Sequence, residues 1–173
     1  MTAPAAPLAV ARAAAAADPA AARGVDVAAT AVFEQGVSFM SSHKSGFVLR
    51  TDMSEALGGS GSAPSPGWVM RAVHAACNGT MIVLRAAELG IRLTKLSVTA
   101  DSESDDRGMT GADDGVSAGP IWSRIRVVIA VDGASDSELR DLVAWARDHS
   151  PVEDAIRRAV PIDVEVEIAG SGS

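Results

Sequence analysis

A long apolar segment, predicted to form one helix from about Pro66 to Leu89, limits the folds open to this chain. Ser65 is a favourable N-cap, proline is tolerated in the first helical turn, and Gly90 is a typical C-terminal stop. The apolar residues lie on nearly every face of the helix: Val69, Met70, Val73, Ala76, Cys77, Met81, Ile82, Val83 and Leu84. A helix with this pattern is buried on most sides. In a chain of 173 residues this predicts a sheet wrapped around the helix, or a second chain that covers it.

The segments on either side of this helix have strand and helix patterns. Strands are predicted at 25–33, 37–40 and 47–50 before the helix, and at 91–100, 121–131 and 162–168 after it. A change of phase at Thr94–Lys95 indicates a β-bulge. Two further helices begin at the capping boxes Ser135–Glu138 and Ser150–Glu153. This order of elements predicts an α+β fold with antiparallel sheets rather than a βαβ repeat.

Composition predicts one folded domain at residues 25–169, between two short extensions. Residues 1–24 are almost entirely Ala, Pro and Arg, and they predict a frayed or partly helical extension. Early prolines and Arg12 interrupt the apolar run that a signal peptide requires. Residues 170–173, Gly-Ser-Gly-Ser, predict a flexible tail. No segment approaches the roughly 18 apolar residues of a membrane-spanning helix.

Charge and cysteine content exclude several classes of partner. The formal net charge of −7 argues against a general affinity for nucleic acid or for an anionic membrane. A single cysteine cannot form an intramolecular disulfide, which fits a reducing cytoplasm. One cysteine and three scattered histidines predict no metal site. The acidic stretch 101–114 lacks the ligand spacing of a calcium loop and predicts a solvated loop. The stretch 58–61 lacks the lysine of a phosphate loop, so neither implies a cofactor.

Several motifs in a fixed order resemble the OsmC/Ohr family of osmotically inducible and organic hydroperoxide resistance proteins. They are Ala-Ala-Cys at 75–77 in the long helix, Ser-Asp-Asp-Arg-Gly-Met at 104–109, and His-Ser-Pro-Val at 149–152. The resemblance covers about Val25 to Ile168. It implies an intertwined homodimer in which two long central helices are enclosed by antiparallel sheets from both chains. It also implies an active site at the dimer interface, around the helix cysteine.

The resemblance further implies a set of site residues. In the family's peroxidases the helix cysteine attacks an organic hydroperoxide as the thiolate and becomes a sulfenic acid. A second cysteine, in a Cys-Pro-Val turn, then closes a disulfide, while a glutamate orients an arginine that stabilises the thiolate. Cys77 occupies the position of the attacking cysteine, and Arg50 is assigned to that of the arginine. Ser150 replaces the resolving cysteine, and Gly67-Trp68 replaces the glutamate, so an external thiol would have to reduce the sulfenic acid.

Four residues are candidates for contacts with a substrate near Cys77. His74 lies on the same helix face, where it either tunes the thiol or is hydrogen-bonded at a dimer interface. Trp68 and Met81 would line an apolar pocket, although Met81 also suits a hydrophobic core. Ser150 would contact substrate, but its simpler role is that of a helix cap.

Three functions remain open. The first is an OsmC-family protein with a single-cysteine site, weak or lost peroxidase chemistry, and another small apolar molecule as its ligand or substrate. The absence of the resolving cysteine and of the glutamate favours this hypothesis. The second is a one-cysteine, thiol-dependent peroxidase of organic hydroperoxides. The third is a non-catalytic structural dimer.

Overall fold

The computed structural model of the protein describes residues 5–168, and the predicted tail at 170–173 lies outside them. The helices are α1 Ala5–Ala17, α2 Pro66–Glu88, α3 Asp106–Thr110, α4 Asp136–Asp148 and α5 Pro151–Arg158, with a single 3-10 turn at Glu55–Leu57. The strands are β1 Thr30–Gln35, β2 Ser38–Ser42, β3 Val48–Thr51, β4 Arg92–Ser104 and β5 Pro120–Asp132. No helix in this part of the chain is long and apolar enough to span a membrane.

The strands form two antiparallel sheets. β1, β2 and β3 pair in chain order, and β4 pairs with β5 along almost its whole length. The register of the second sheet shifts between Leu93 and Lys95, which confirms the predicted bulge. The mixed arrangement of helices and antiparallel sheets that the sequence predicts is therefore confirmed.

β4 extends beyond its predicted end because its acidic residues have partners on β5. The Arg124 guanidinium binds the Asp101 carboxylate, with Nη2 and Oδ2 2.8 Å apart. The Trp122 indole nitrogen donates to Glu103 Oε2 at 2.7 Å. These cross-strand pairs keep 101–104 in the sheet, so the prediction of a solvated loop from Asp101 was wrong for these four residues.

The hydrophobic core lies where α2 meets α4 and the β4–β5 sheet. Its fully buried residues are Ile82 and Ala86 of α2 and Leu142 and Ala146 of α4, each pair spaced four residues apart. Half-buried strand residues pack against them: Leu93, Leu96, Val98, Val127 and Ile129. One face of α2 is thus covered by its own chain.

One side of α2, which includes Val73, Ala76 and Thr80, is open, and so is its first turn. Val73 and Trp68 are 48% and 54% exposed, and Met70 is exposed as well. The sequence predicts coverage of this helix on most faces, and one chain supplies only part of that coverage.

The predicted strand at 162–168 has no strand partner within the described chain. Its apolar side chains, Ile162, Val164, Val166 and Ile168, are each at least 79% exposed. A strand needs a neighbour for its backbone hydrogen bonds, so alternation of apolar residues alone does not produce one here. The strand predicted at 25–33 is also shorter at its start, because β1 begins at Thr30 rather than Val25.

Candidate functional site

The position of Cys77 is set by the start of α2 and by the spacing of its buried residues. The backbone nitrogen of Trp68 donates to Ser65 Oγ at 3.2 Å, as expected for the predicted N-cap. Counting from this cap, His74, Asn78, Ile82 and Ala86 form the buried stripe of the helix. Cys77 lies next to this stripe and is half-buried. Its thiol therefore lies at the border between the interior and the open side of α2.

Ser150, between α4 and α5, is the polar partner of this thiol. Its hydroxyl donates a hydrogen bond to Cys77 Sγ, with the two atoms 3.1 Å apart. The same oxygen accepts the Glu153 backbone N–H at 3.4 Å, which confirms the predicted helix cap. The N–H occupies one lone pair of this oxygen, which leaves its single proton available for the sulfur. A hydroxyl in this position can donate to a thiolate.

A buried polar cluster lies behind this contact. His74 Nε2 and Glu153 Oε2 are 3.4 Å apart, and the side chains of both residues are almost fully buried. Arg147 Nε, at the end of α4, lies 3.4 Å from Glu153 Oε1. Asn78 Nδ2 donates to the His74 carbonyl oxygen at 3.1 Å, as part of the same cluster.

This cluster corrects the second predicted capping box. In a capping box the Glu153 side chain would turn back to the N–H of Ser150. Instead, its carboxylate turns inward to His74 and Arg147, which offer an imidazole and a guanidinium. No local pattern indicates this choice, because His74 and Glu153 lie 79 residues apart.

Arg50 does not contact Cys77 within one chain. Its guanidinium binds Glu34 across the first sheet, with Nε–Oε2 and Nη2–Oε1 distances of 3.1 and 3.2 Å. It also lies 3.7 Å from Met40 Sδ. The hydrogen bond with Glu34, helped by its negative charge, raises the pKa of Arg50. Sequence analysis missed Glu34, which could be found only once the register placed Arg50 opposite Met40.

The other two candidates lie on different sides of α2. Met81 packs against the hydrophobic core, as the alternative interpretation of this residue expects. Trp68 is exposed in the first helical turn.

A cavity of about 490 Å³ lies between β5 and α4, but its lining, which includes Val127, Ile129 and Leu139, contains none of the predicted site residues. Residues 5–168 contain no group of His, Cys, Asp and Glu placed to hold a metal ion.

Known structures share this fold. An organic hydroperoxide resistance protein OsmC from Legionella pneumophila is 25% identical, with a TM-score of 0.53 over 78% of this chain and 92% of that one. An OsmC-like protein from Mycoplasma pneumoniae is 15% identical, with a TM-score of 0.65 over 78% of this chain and 89% of that one. An OsmC-like protein of unknown function from Vibrio cholerae is 9% identical, with a TM-score of 0.64 over 76% of this chain and 94% of that one.

The sequence itself matches the same family. No curated protein matches the chain. The profile of the OsmC-like protein family matches residues 59–165, which is more than half of the chain. The matched segment runs from the loop before α2 to the end of α5 and beyond, and so contains both Cys77 and Ser150. The chain therefore belongs to the OsmC family.

Proposed function

We propose that this protein is a homodimer in which Cys77 reduces an organic hydroperoxide at the expense of an external thiol. The observation that carries the proposal is the Ser150 hydroxyl, which donates to Cys77 Sγ at 3.1 Å. It stands where the family resemblance expects a resolving cysteine. A serine cannot form a disulfide, but it can stabilise the thiolate that attacks the peroxide.

Exposed apolar surface supports the dimer. Val73 lies on the open side of α2, and Trp68 and Met70 are exposed near the start of this helix. The β1–β3 sheet also exposes large apolar residues: Val32, Phe33, Phe39 and Val48. No other element packs extensively on this sheet within the described chain. Exposed apolar patches mark interaction sites, and a second copy related by two-fold symmetry would cover both regions.

The Arg50–Glu34 pair supplies the charge that the reaction needs. The family resemblance expects an arginine that is oriented by a glutamate, and the pair on the first sheet matches this description. Because Arg50 is remote from Cys77 of its own chain, we assign it to Cys77 of the second copy. In the sequence, the missing glutamate favours a loss of peroxidase chemistry. With Glu34 in the role of that glutamate, this argument no longer applies.

The chemistry then needs three steps. The Cys77 thiolate attacks the outer peroxide oxygen, the O–O bond breaks, and the alkoxide takes a proton and leaves as an alcohol. This leaves a sulfenic acid on Cys77. The first external thiol displaces water from the sulfenic acid to form a mixed disulfide. A second external thiol then releases Cys77 and leaves with the first one as a disulfide.

The test is the consumption of cumene hydroperoxide with dithiothreitol as reductant, with Cys77→Ser as the control. We expect catalytic turnover by the natural protein, none by the variant, and a gain of one oxygen on Cys77 when the reductant is omitted. A natural protein that consumes no more hydroperoxide than Cys77→Ser would overturn the proposal.

The open side of α2 supports a second function, the binding of a small apolar molecule beside Cys77. Val73, one turn before Cys77 on the same face, would provide a contact. In that case an apolar dye would bind the natural protein and Cys77→Ser equally well, and Val73→Ala would weaken its binding.

A further inference from the structure

Glu153, which the sequence assigns only to a capping box, contacts three residues of the candidate site. Glu153 offers one carboxylate oxygen to His74 and the other to Arg147. Its backbone N–H donates to Ser150 Oγ, the same atom that donates to Cys77. Glu153 therefore joins α2, α4 and the first turn of α5 at a single point.

Stability alone is a weak explanation for this cluster. Ser150, Asn78, His74 and Glu153 are 0%, 3%, 6% and 7% exposed, whereas well-packed apolar residues would fill the same space without desolvating charged groups. The neighbouring core shows that this interface also accepts apolar residues, since Ile82 and Leu142 are buried one turn away. A buried and fully paired polar network fixes a geometry, and the geometry fixed here is that of the hydroxyl against the thiol.

We propose that Glu153 is a positioning residue for the Cys77 thiol. Its carboxylate, held between His74 and Arg147, locks the first turn of α5 against α2. This holds Ser150 Oγ within hydrogen-bond distance of the sulfur. Glu153 acts through Ser150 and does not touch the reacting atom. The inference rests on the proposed function only in taking Cys77 as the reactive group.

The charged and titratable groups around the thiol come from three helices. α5 contributes Glu153 and α4 contributes Arg147, which also lies 3.9 Å from Asp148. His74 comes from α2 itself. α1 and β4 also pack on α2, but their polar side chains contact other residues of this helix. Arg12 of α1 binds Glu88, and Ser102 of β4 binds Arg71.

The test measures the rate at which iodoacetamide alkylates Cys77 from pH 5 to 10. We expect Glu153→Ala to slow alkylation at neutral pH by about tenfold, the effect of one lost hydrogen bond, and to move the pH–rate profile upward. Ser150→Ala should do the same. Because Glu153 acts through Ser150, the double variant should be no slower than Ser150→Ala alone. Asp154→Asn is the matched control, as its carboxylate is exposed and binds only Arg158.

Two results would overturn the proposal: a Glu153→Ala profile that coincides with that of the natural protein, or additive effects in the double variant. Glu153→Gln keeps the side-chain volume and serves if the alanine variant does not fold. It should shift the profile in the same direction, because a neutral amide binds Arg147 and His74 more weakly than a carboxylate does. Alkylation needs no peroxide, so this test is independent of peroxidase activity. A chain without peroxidase turnover can still show the expected alkylation rates, and an active peroxidase can lack them.

Discussion

Two regions of the molecule differ in how completely a single chain buries and pairs their side chains. Where α2 meets α4 and α5, apolar residues are fully buried and the polar residues are paired with one another. On the β1–β3 sheet and in the segment 161–168, large apolar residues face solvent. Both regions are equally rich in apolar residues, so composition does not explain the difference. The first region is a core that one chain completes, whereas the second leaves large apolar residues that one chain does not cover.

The largest expected effect lies in the complete region. Leu142→Ala removes a buried side chain of α4 that packs between α2 and the second sheet. We expect the free energy of unfolding to fall by about 2–5 kcal/mol, as for other buried leucines. Urea unfolding monitored by circular dichroism measures it. A loss below 1 kcal/mol would contradict a core completed by one chain.

The next prediction concerns the incomplete region. Val166→Asp places a charge on the exposed apolar face of 161–168 without removing any contact within the described chain. If a second copy covers this face, we expect dimerisation to weaken by about 2 kcal/mol or more, as for a central interface residue. Light scattering across a dilution series measures the dimer fraction. The control is Val10→Asp, on the exposed surface of α1, which should leave the dimer fraction unchanged. Equal dimer fractions for both variants would refute the assignment of 161–168 to the interface.

A smaller effect is expected at Asp52, which joins the two regions. This buried carboxylate accepts hydrogen bonds from Met53, Ser60 and Ser62, in the loop that leads to α2. The Ser60 hydroxyl first, and then the N–H groups of Ser62 and Met53, hold the pKa of Asp52 well below its usual range. Because its pKa is lower in the folded than in the unfolded state, where it is about 3.9, this stabilisation is complete above about pH 4 and is lost in stronger acid.

Asp52→Asn should therefore lower the urea midpoint at pH 7, and the difference from the natural protein should narrow below about pH 4. The amide brings two N–H donors into a site that already contains only donors, so it cannot replace the carboxylate. Asp26→Asn, in an exposed segment before β1, is the control. A difference between the natural protein and Asp52→Asn that is constant from pH 7 to pH 3 would contradict this assignment.

The features that the sequence predicts well depend on residues close together in the chain. The Ser65 cap, the Ser135–Glu138 capping box and the bulge near Lys95 each involve neighbours within a few residues, and all three occur as predicted. The family resemblance placed Ser150 beside Cys77 because it compares whole chains. This is information that local patterns do not contain.

The remaining features depend on how distant elements meet. Glu153 follows the capping-box pattern, but its partner is decided by the packing of α5 on α2, which brings His74 within reach. Glu34 and Arg50 are 16 residues apart, and only the register of the first sheet brings them together. The segment 162–168 has the alternation of a strand, but whether it becomes one depends on a neighbouring strand.

The most direct test of a site completed by a second copy is complementation between two inactive variants. Arg50→Ala and Cys77→Ser are assayed separately with cumene hydroperoxide, and then after co-expression. In a mixed dimer, Cys77 of one chain would face the intact Arg50 of the other. We predict that co-expression restores about a quarter of the natural rate, because half of the dimers are mixed and each has one complete site. No recovery in dimers shown to be mixed would contradict the account.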